Sequence, residues 1–139
     1  YVEDGRQQAA PIRLVSSRED ENEWLVVNQV RVVDGDVERR FDIVLYVNGL
    51  PVVVMELKDA GSARADVAAA HAQLTTYVRE LPMAFRACVL TVISDGIVAK
   101  YGTPFTPLNH YSPWNVDDDG RTGTDTPSTG SRTTSRRAR

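Results

Sequence analysis

Three side chains near the middle of the chain have types and spacing suited to hydrolysis of a phosphodiester: Asp42, Glu56 and Lys58. Such chemistry needs one or two carboxylates as hard ligands for Mg²⁺, and a positive group beside the scissile phosphate and the attacking water. Glu56 and Lys58 are two positions apart, so on a strand they leave the same face. Asp42 lies on the preceding apolar run, and its placement depends on the hairpin between them. A loop made of Asn48, Gly49 and Leu50 sets Asp42 directly opposite Glu56, whereas a loop one residue shorter shifts the register and turns Asp42 to the other face. The plain alternative is a set of strand-end polar residues in water or in ordinary ion pairs. Against it, the acids interrupt nearly continuous apolar strands, where a charge is costly unless a metal or a partner compensates it.

Gln73 and Tyr77, four positions apart, share one face of an expected helix beside its apolar stripe. By themselves they fit an amide and a phenol on a half-wet helix. His71 and His110 have no His, Cys or carboxylate neighbours at metal-ligand spacing and read as incidental. Arg39 and Arg40 are candidates for phosphate contact, though surface ion pairing is the commoner fate of such residues. The chain has no Gly-x-Ser-x-Gly elbow for a serine nucleophile and no Gly-rich Lys-Ser/Thr loop for ATP phosphates.

The elements that must hold these residues are legible as a series of apolar runs. Trp24 to Val33 is too β-branched for a helix and reads as a strand; Asp34-Gly35-Asp36 is a turn, and a second strand starts near Val37. Phe41 to Val47 and Val52 to Leu57 flank Asn48-Gly49-Leu50-Pro51, the strongest hairpin signal present. Their continuous apolarity implies cover on both faces. From Ser62 to Glu80 the period changes, with Val67, Ala70, Leu74, Val78 and Leu81 on one helical stripe that Pro82 ends. Cys88 to Ile93 and Ile97 to Tyr101 form a further hairpin around Ser94-Asp95-Gly96. The expected order is β-β-β-β-α-β-β, a mixed α/β domain over residues 1–116, followed over 117–139 by a disordered Ser/Thr/Arg-rich tail.

Composition narrows the class further. The chain has 139 residues, 42% hydrophobic and 25% charged, enough for one sizeable core. Sixteen Lys and Arg against nineteen Asp and Glu leave a formal charge of -3, so the basic excess of a self-sufficient nucleic-acid binder is missing. No apolar run approaches the roughly 18 residues of a membrane span, and no secretory leader opens the chain. The lone Cys88 reads as a buried thiol, and a cytoplasmic location with no membrane partner is expected. The first residue is Tyr1 rather than Met, which suggests a processed chain or a piece of a longer one.

At this point the residues resemble a known family. Asn28-Gln29-Val30, the run from Arg40 through Asn48-Gly49-Leu50-Pro51 to Glu56-Leu57-Lys58, Gln73 to Tyr77, Ile93 to Gly96, Tyr101 to Thr103 and Trp114 together look like the N-terminal nuclease domain of the restriction subunit of type I restriction-modification enzymes. The resemblance covers about residues 24–120. It implies a PD-(D/E)xK endonuclease fold, a mixed sheet with flanking helices, and a type I site-specific deoxyribonuclease that hydrolyses DNA. Asp42 and Glu56 would hold Mg²⁺, Lys58 would orient or activate water and stabilise the transition state, and Gln73 and Tyr77 would line the site and position the scissile strand. Phe41 stands where the family usually has Pro, a departure expected to touch a backbone turn. The family's upstream acidic helix residue has no evident counterpart. ATP would act only through helicase-like motor domains that this chain lacks, and the partners would be DNA and the methylation and specificity subunits. The competing expectation is a nuclease-like fold, or an inactive truncated fragment of one, that serves as a non-catalytic interaction module.

Overall fold

The computed structural model describes residues 2–7, 9, 11–59 and 66–114. A short hairpin, β1 (Val2–Glu3) with β2 (Arg6–Gln7), precedes a six-stranded sheet in the order β3 (Trp24–Asp34), β4 (Val37–Val47), β5 (Leu50–Leu57), β6 (Leu90–Ser94), β7 (Ala99–Gly102) and β8 (Ser112–Pro113). All neighbours in it are antiparallel except β5 and β6, which are parallel. A parallel pair needs a long crossover, and the helix α1 (Val67–Glu80) lies on it. Asp66 caps that helix, its side chain accepting the Ala69 N–H.

Two expectations change here. The strand expected to start near Val37 and the run from Phe41 to Val47 are one continuous strand, β4, because nothing between them breaks an extended backbone. The cover expected on both faces of the runs Phe41 to Val47 and Val52 to Leu57 is found in part, since the successive residues Val53 and Val54 are both buried while Leu57 is exposed, and it does not extend to the whole sheet. Among the described residues α1 is the one α-helix, it packs on β5 and β6, and the edge strand β3 leaves Trp24, Leu25, Val26 and Val33 exposed. β-Branched composition therefore reported strand propensity more than burial. Of the expected helix, residues 62–65 lie outside the described residues, as does the tail expected over 117–139.

The core forms where α1 lies on the sheet. Ala70, Leu74, Tyr77 and Leu81 pack with Phe41, Val44, Val54, Phe85 and Ile93, while Val67 and Val78 are only partly buried. Phe41 is not at a turn: its ring is 2% exposed in mid-strand, 5.2 Å from Tyr77 and 5.5 Å from Phe85. Cys88 is buried as expected, its thiol donating to the Leu90 carbonyl at 3.2 Å, and burial pushes its pKa up, away from thiolate reactivity. No helix among the described residues is long and apolar enough to cross a membrane.

The hairpin joining β4 and β5 decides where the acids meet. Val47 pairs with Leu50 across a two-residue Asn48-Gly49 turn, with φ of 50° and 81°, the positive values such a turn requires at both positions. That length by itself would turn Asp42 away from Glu56. A β-bulge prevents it: Tyr46 pairs with Pro51 but Leu45 pairs with Val53, so Val52 is an extra residue on β5. Carried past the last pair, Ile43 with Met55, the shifted register sets Asp42 beside Glu56.

Candidate active site

Glu56 sits on β5 in a face that is almost wholly covered, with 1% of its side chain exposed. Its Oε1 accepts from Lys58 Nζ at 2.8 Å, and its Oε2 is buried with no hydrogen-bond partner. Lys58 lies just past the end of β5, where its backbone N–H still donates to the Ser94 carbonyl at 2.7 Å. Its ammonium also donates to Gln73 Oε1, and Gln73 Nε2 in turn donates to the Tyr77 hydroxyl. Asp42 is held on both oxygens, Oδ2 by the Leu57 N–H at 2.9 Å and Oδ1 by Gln29 Nε2 at 3.2 Å. Asn28, Gln29, Asp42, Ile43, Leu57, Lys58 and Asp59 line an open groove above this cluster.

Glu56, Lys58, Gln73 and Tyr77 form one hydrogen-bonded chain, and Asp42 lies beside Glu56 on the paired strand. Gln73 and Tyr77 were expected to line the site and hold a substrate strand. The Gln73 amide is used at both ends by Lys58 and Tyr77, and Tyr77 is 6% exposed in the core. The buried stripe of α1 runs through Ala70, Leu74 and Tyr77 rather than Val78. Arg39 is likewise engaged, by Glu80 at 2.7 Å, which is the ion-pair outcome. His71 contacts the Thr106 carbonyl at 3.0 Å and stacks edge-on to Tyr111, far from any ligand role. Among the described residues no group of three or more His, Cys, Asp or Glu gathers to hold a metal. Gln29, which donates to Asp42, entered the sequence reading only within the run Asn28-Gln29-Val30 and not as a site candidate.

Burial pushes the Glu56 carboxyl above the usual carboxylate range; Lys58 opposes this and the neighbouring Asp42 adds to it. Desolvation, more than repulsion between the two acids, is the main cause. The folded state thus holds this proton more tightly than the unfolded chain does. The stability linked to Glu56 is full below the ordinary carboxyl range and is lost as pH rises through the raised value. Glu56→Gln removes that dependence. Urea midpoints taken from about pH 4 to about pH 8 should show wild type losing ground to Glu56→Gln as pH rises; a gap independent of pH would contradict the buried-acid assignment.

Residues 3–110 match the family model described as type I restriction enzyme R protein N terminus. The HindI type I restriction enzyme endonuclease subunit of Haemophilus influenzae is 36% identical over 121 residues, covering 86% of this chain and 12% of that protein. The putative MjaIXP endonuclease subunit of Methanocaldococcus jannaschii is 28% identical over 126 residues, again 86% of this chain and 12% of the relative. A staphylococcal subunit, SsaAORF53P of Staphylococcus saprophyticus, is 35% identical over 82 residues, 58% of this chain and 8% of its own length. The chain thus spans about an eighth or less of these relatives, and it belongs to the family of type I restriction enzyme R protein N-terminal domains.

Proposed function

We propose that this chain is the endonuclease module of a type I restriction enzyme, with a PD-(D/E)xK core that hydrolyses DNA phosphodiesters with the help of Mg²⁺ inside an ATP-driven, translocating complex. The observation that carries this is the orphaned Glu56 Oε2 beside Asp42. A buried carboxylate oxygen without a partner is costly, and a divalent cation is a partner it can take. Asp42 and Glu56 would hold the ion, with water, backbone or phosphate oxygens completing a shell that two carboxylates cannot fill. When bound, Mg²⁺ supplies Lewis-acid polarisation of the phosphate and acidifies a bound water.

The chain's own residues do the rest. Lys58 has three N–H donors, two of them spent on Glu56 and Gln73, which leaves one directed by that pair toward the groove and a phosphoryl oxygen or attacking water. Gln73, braced by Tyr77, limits the rotamers open to Lys58 and so acts through it. The partners would be DNA and the methylation and specificity subunits of a restriction-modification complex. The test is a transplant: residues 3–110 replace the matching segment of a complete relative, assembled with its partners, ATP and Mg²⁺. Plasmid cleavage should survive the exchange and disappear in the Asp42→Asn version; equal cleavage by both would overturn the assignment.

A further inference from the structure

We propose that Gln29 is a positioning residue that fixes the Asp42 carboxylate for metal binding, an inference that rests on the nuclease reading above. Gln29 lies across from Asp42 in the β3–β4 pair, between Asn28 opposite Ile43 and Val30 opposite Phe41. Its backbone is left-handed, with φ of 54°. Asp4 and Asn48, the other non-Gly residues of positive φ among those described, sit in turns, where that conformation is ordinary. Gln29 adopts it within an eleven-residue strand. A non-Gly residue keeps such a conformation only where its surroundings over-determine it, and these places collect at functional sites.

The effect on β4 is visible in burial. Phe41 and Val44 are both in the core, although residues three apart on a regular strand face opposite ways. The alternation breaks between them, at Asp42 and Ile43, beside the kink at Gln29. Asp42 lies at this break, and its carboxylate is caught from two sides. The Leu57 N–H takes one oxygen and the Gln29 amide nitrogen takes the other. A carboxylate offers about four lone-pair sites, so two donors orient it and leave acceptor capacity for a cation. Partners of this kind, bonded to a metal ligand rather than to the metal, typically govern affinity by 10- to 100-fold.

Two substitutions separate the amide from the backbone. Gln29→Gly suits positive φ and removes the amide; Gln29→Leu keeps side-chain bulk and removes only the donor. Mn²⁺ titrations of the 139-residue chain, read by the EPR signal of the free ion, should show roughly 10- to 100-fold weaker binding in both variants, with urea midpoints that report an intact fold. A merely structural role would shift the midpoints and leave Mn²⁺ affinity alone. Wild-type affinity in either folded variant overturns the proposal. Asp42→Asn is the control for the underlying site. If wild type binds no Mn²⁺, or Asp42→Asn binds it as well as wild type, the metal-site reading fails and this proposal with it. If Asp42→Asn abolishes binding and the Gln29 variants do not weaken it, the positioning proposal alone fails.

Discussion

Replacing Lys58 by Ala should remove cleavage almost entirely while DNA affinity changes little. The ammonium is one positive group aimed where charge develops on phosphate, and loss of one such stabiliser typically costs on the order of 100- to 1,000-fold in kcat. Affinity for a long polyanion is instead spread over many backbone contacts. The stability effect must be weighed, because Lys58 is the partner of a buried acid. Removing one member of a fully buried pair costs about 3 to 5 kcal/mol, and the penalty should be smaller here since the Lys58 side chain keeps 23% exposure. Glu56, already pushed toward its protonated form, also escapes part of that cost by taking a proton. The measurement is single-turnover cleavage by the transplanted subunit, with DNA binding and urea midpoints on the same preparations. The urea midpoint of Lys58→Ala, set beside its cleavage rate, distinguishes lost chemistry from lost fold. Full metal-dependent cleavage by Lys58→Ala would remove Lys58 from the proposed set.

Purified by itself, the chain should cut double-stranded DNA negligibly at physiological salt even with its site assembled. A formal charge of -3 supplies no long-range attraction for a polyanion. Local cations are few: Arg31 is paired with Glu38, Arg39 with Glu80, and Lys58 with Glu56. In a complex that threads DNA past the module, tethering raises the effective concentration that this surface cannot reach alone. The same residues should therefore support cleavage in the transplanted, ATP-driven subunit and fail to do so in isolation. Gel analysis of plasmid DNA over a salt series, with and without ATP, reads this directly. Strong ATP-independent double-strand cleavage by the chain alone would refute it.

Much of this was legible in the order of residues. Asn48-Gly49 specified a hairpin because few residue pairs accept positive φ at both positions, and apolar runs on either side of it could only be paired strands. Glu56 and Lys58 were set on one face by the period of a strand, which puts their side chains within reach of the 2.8 Å contact they make. The helix and the burial of Leu74 followed from a period of three and four.

Other features depended on packing between elements that no local pattern encodes. The register that sets Asp42 beside Glu56 comes from the extra residue Val52; loop length by itself gives the opposite face, and a bulge has no signature in a run of valines. Tyr77 is in the core and Val78 at its margin because of how α1 lies on β5 and β6, a rotation smaller than sequence periodicity resolves. The Glu56 proton affinity depends on how completely α1 and the sheet exclude water from one carboxylate. Gln29 is the extreme case. Its type is ordinary for an exposed strand position, and its positive φ and its amide's hydrogen bond to Asp42 are visible only in the folded sheet. Residue types determined which chemistry the chain can carry, because donors, acceptors and charge belong to side chains; tertiary structure decided which of those groups meet, because register, bulge and helix rotation are settled by burial across the whole sheet.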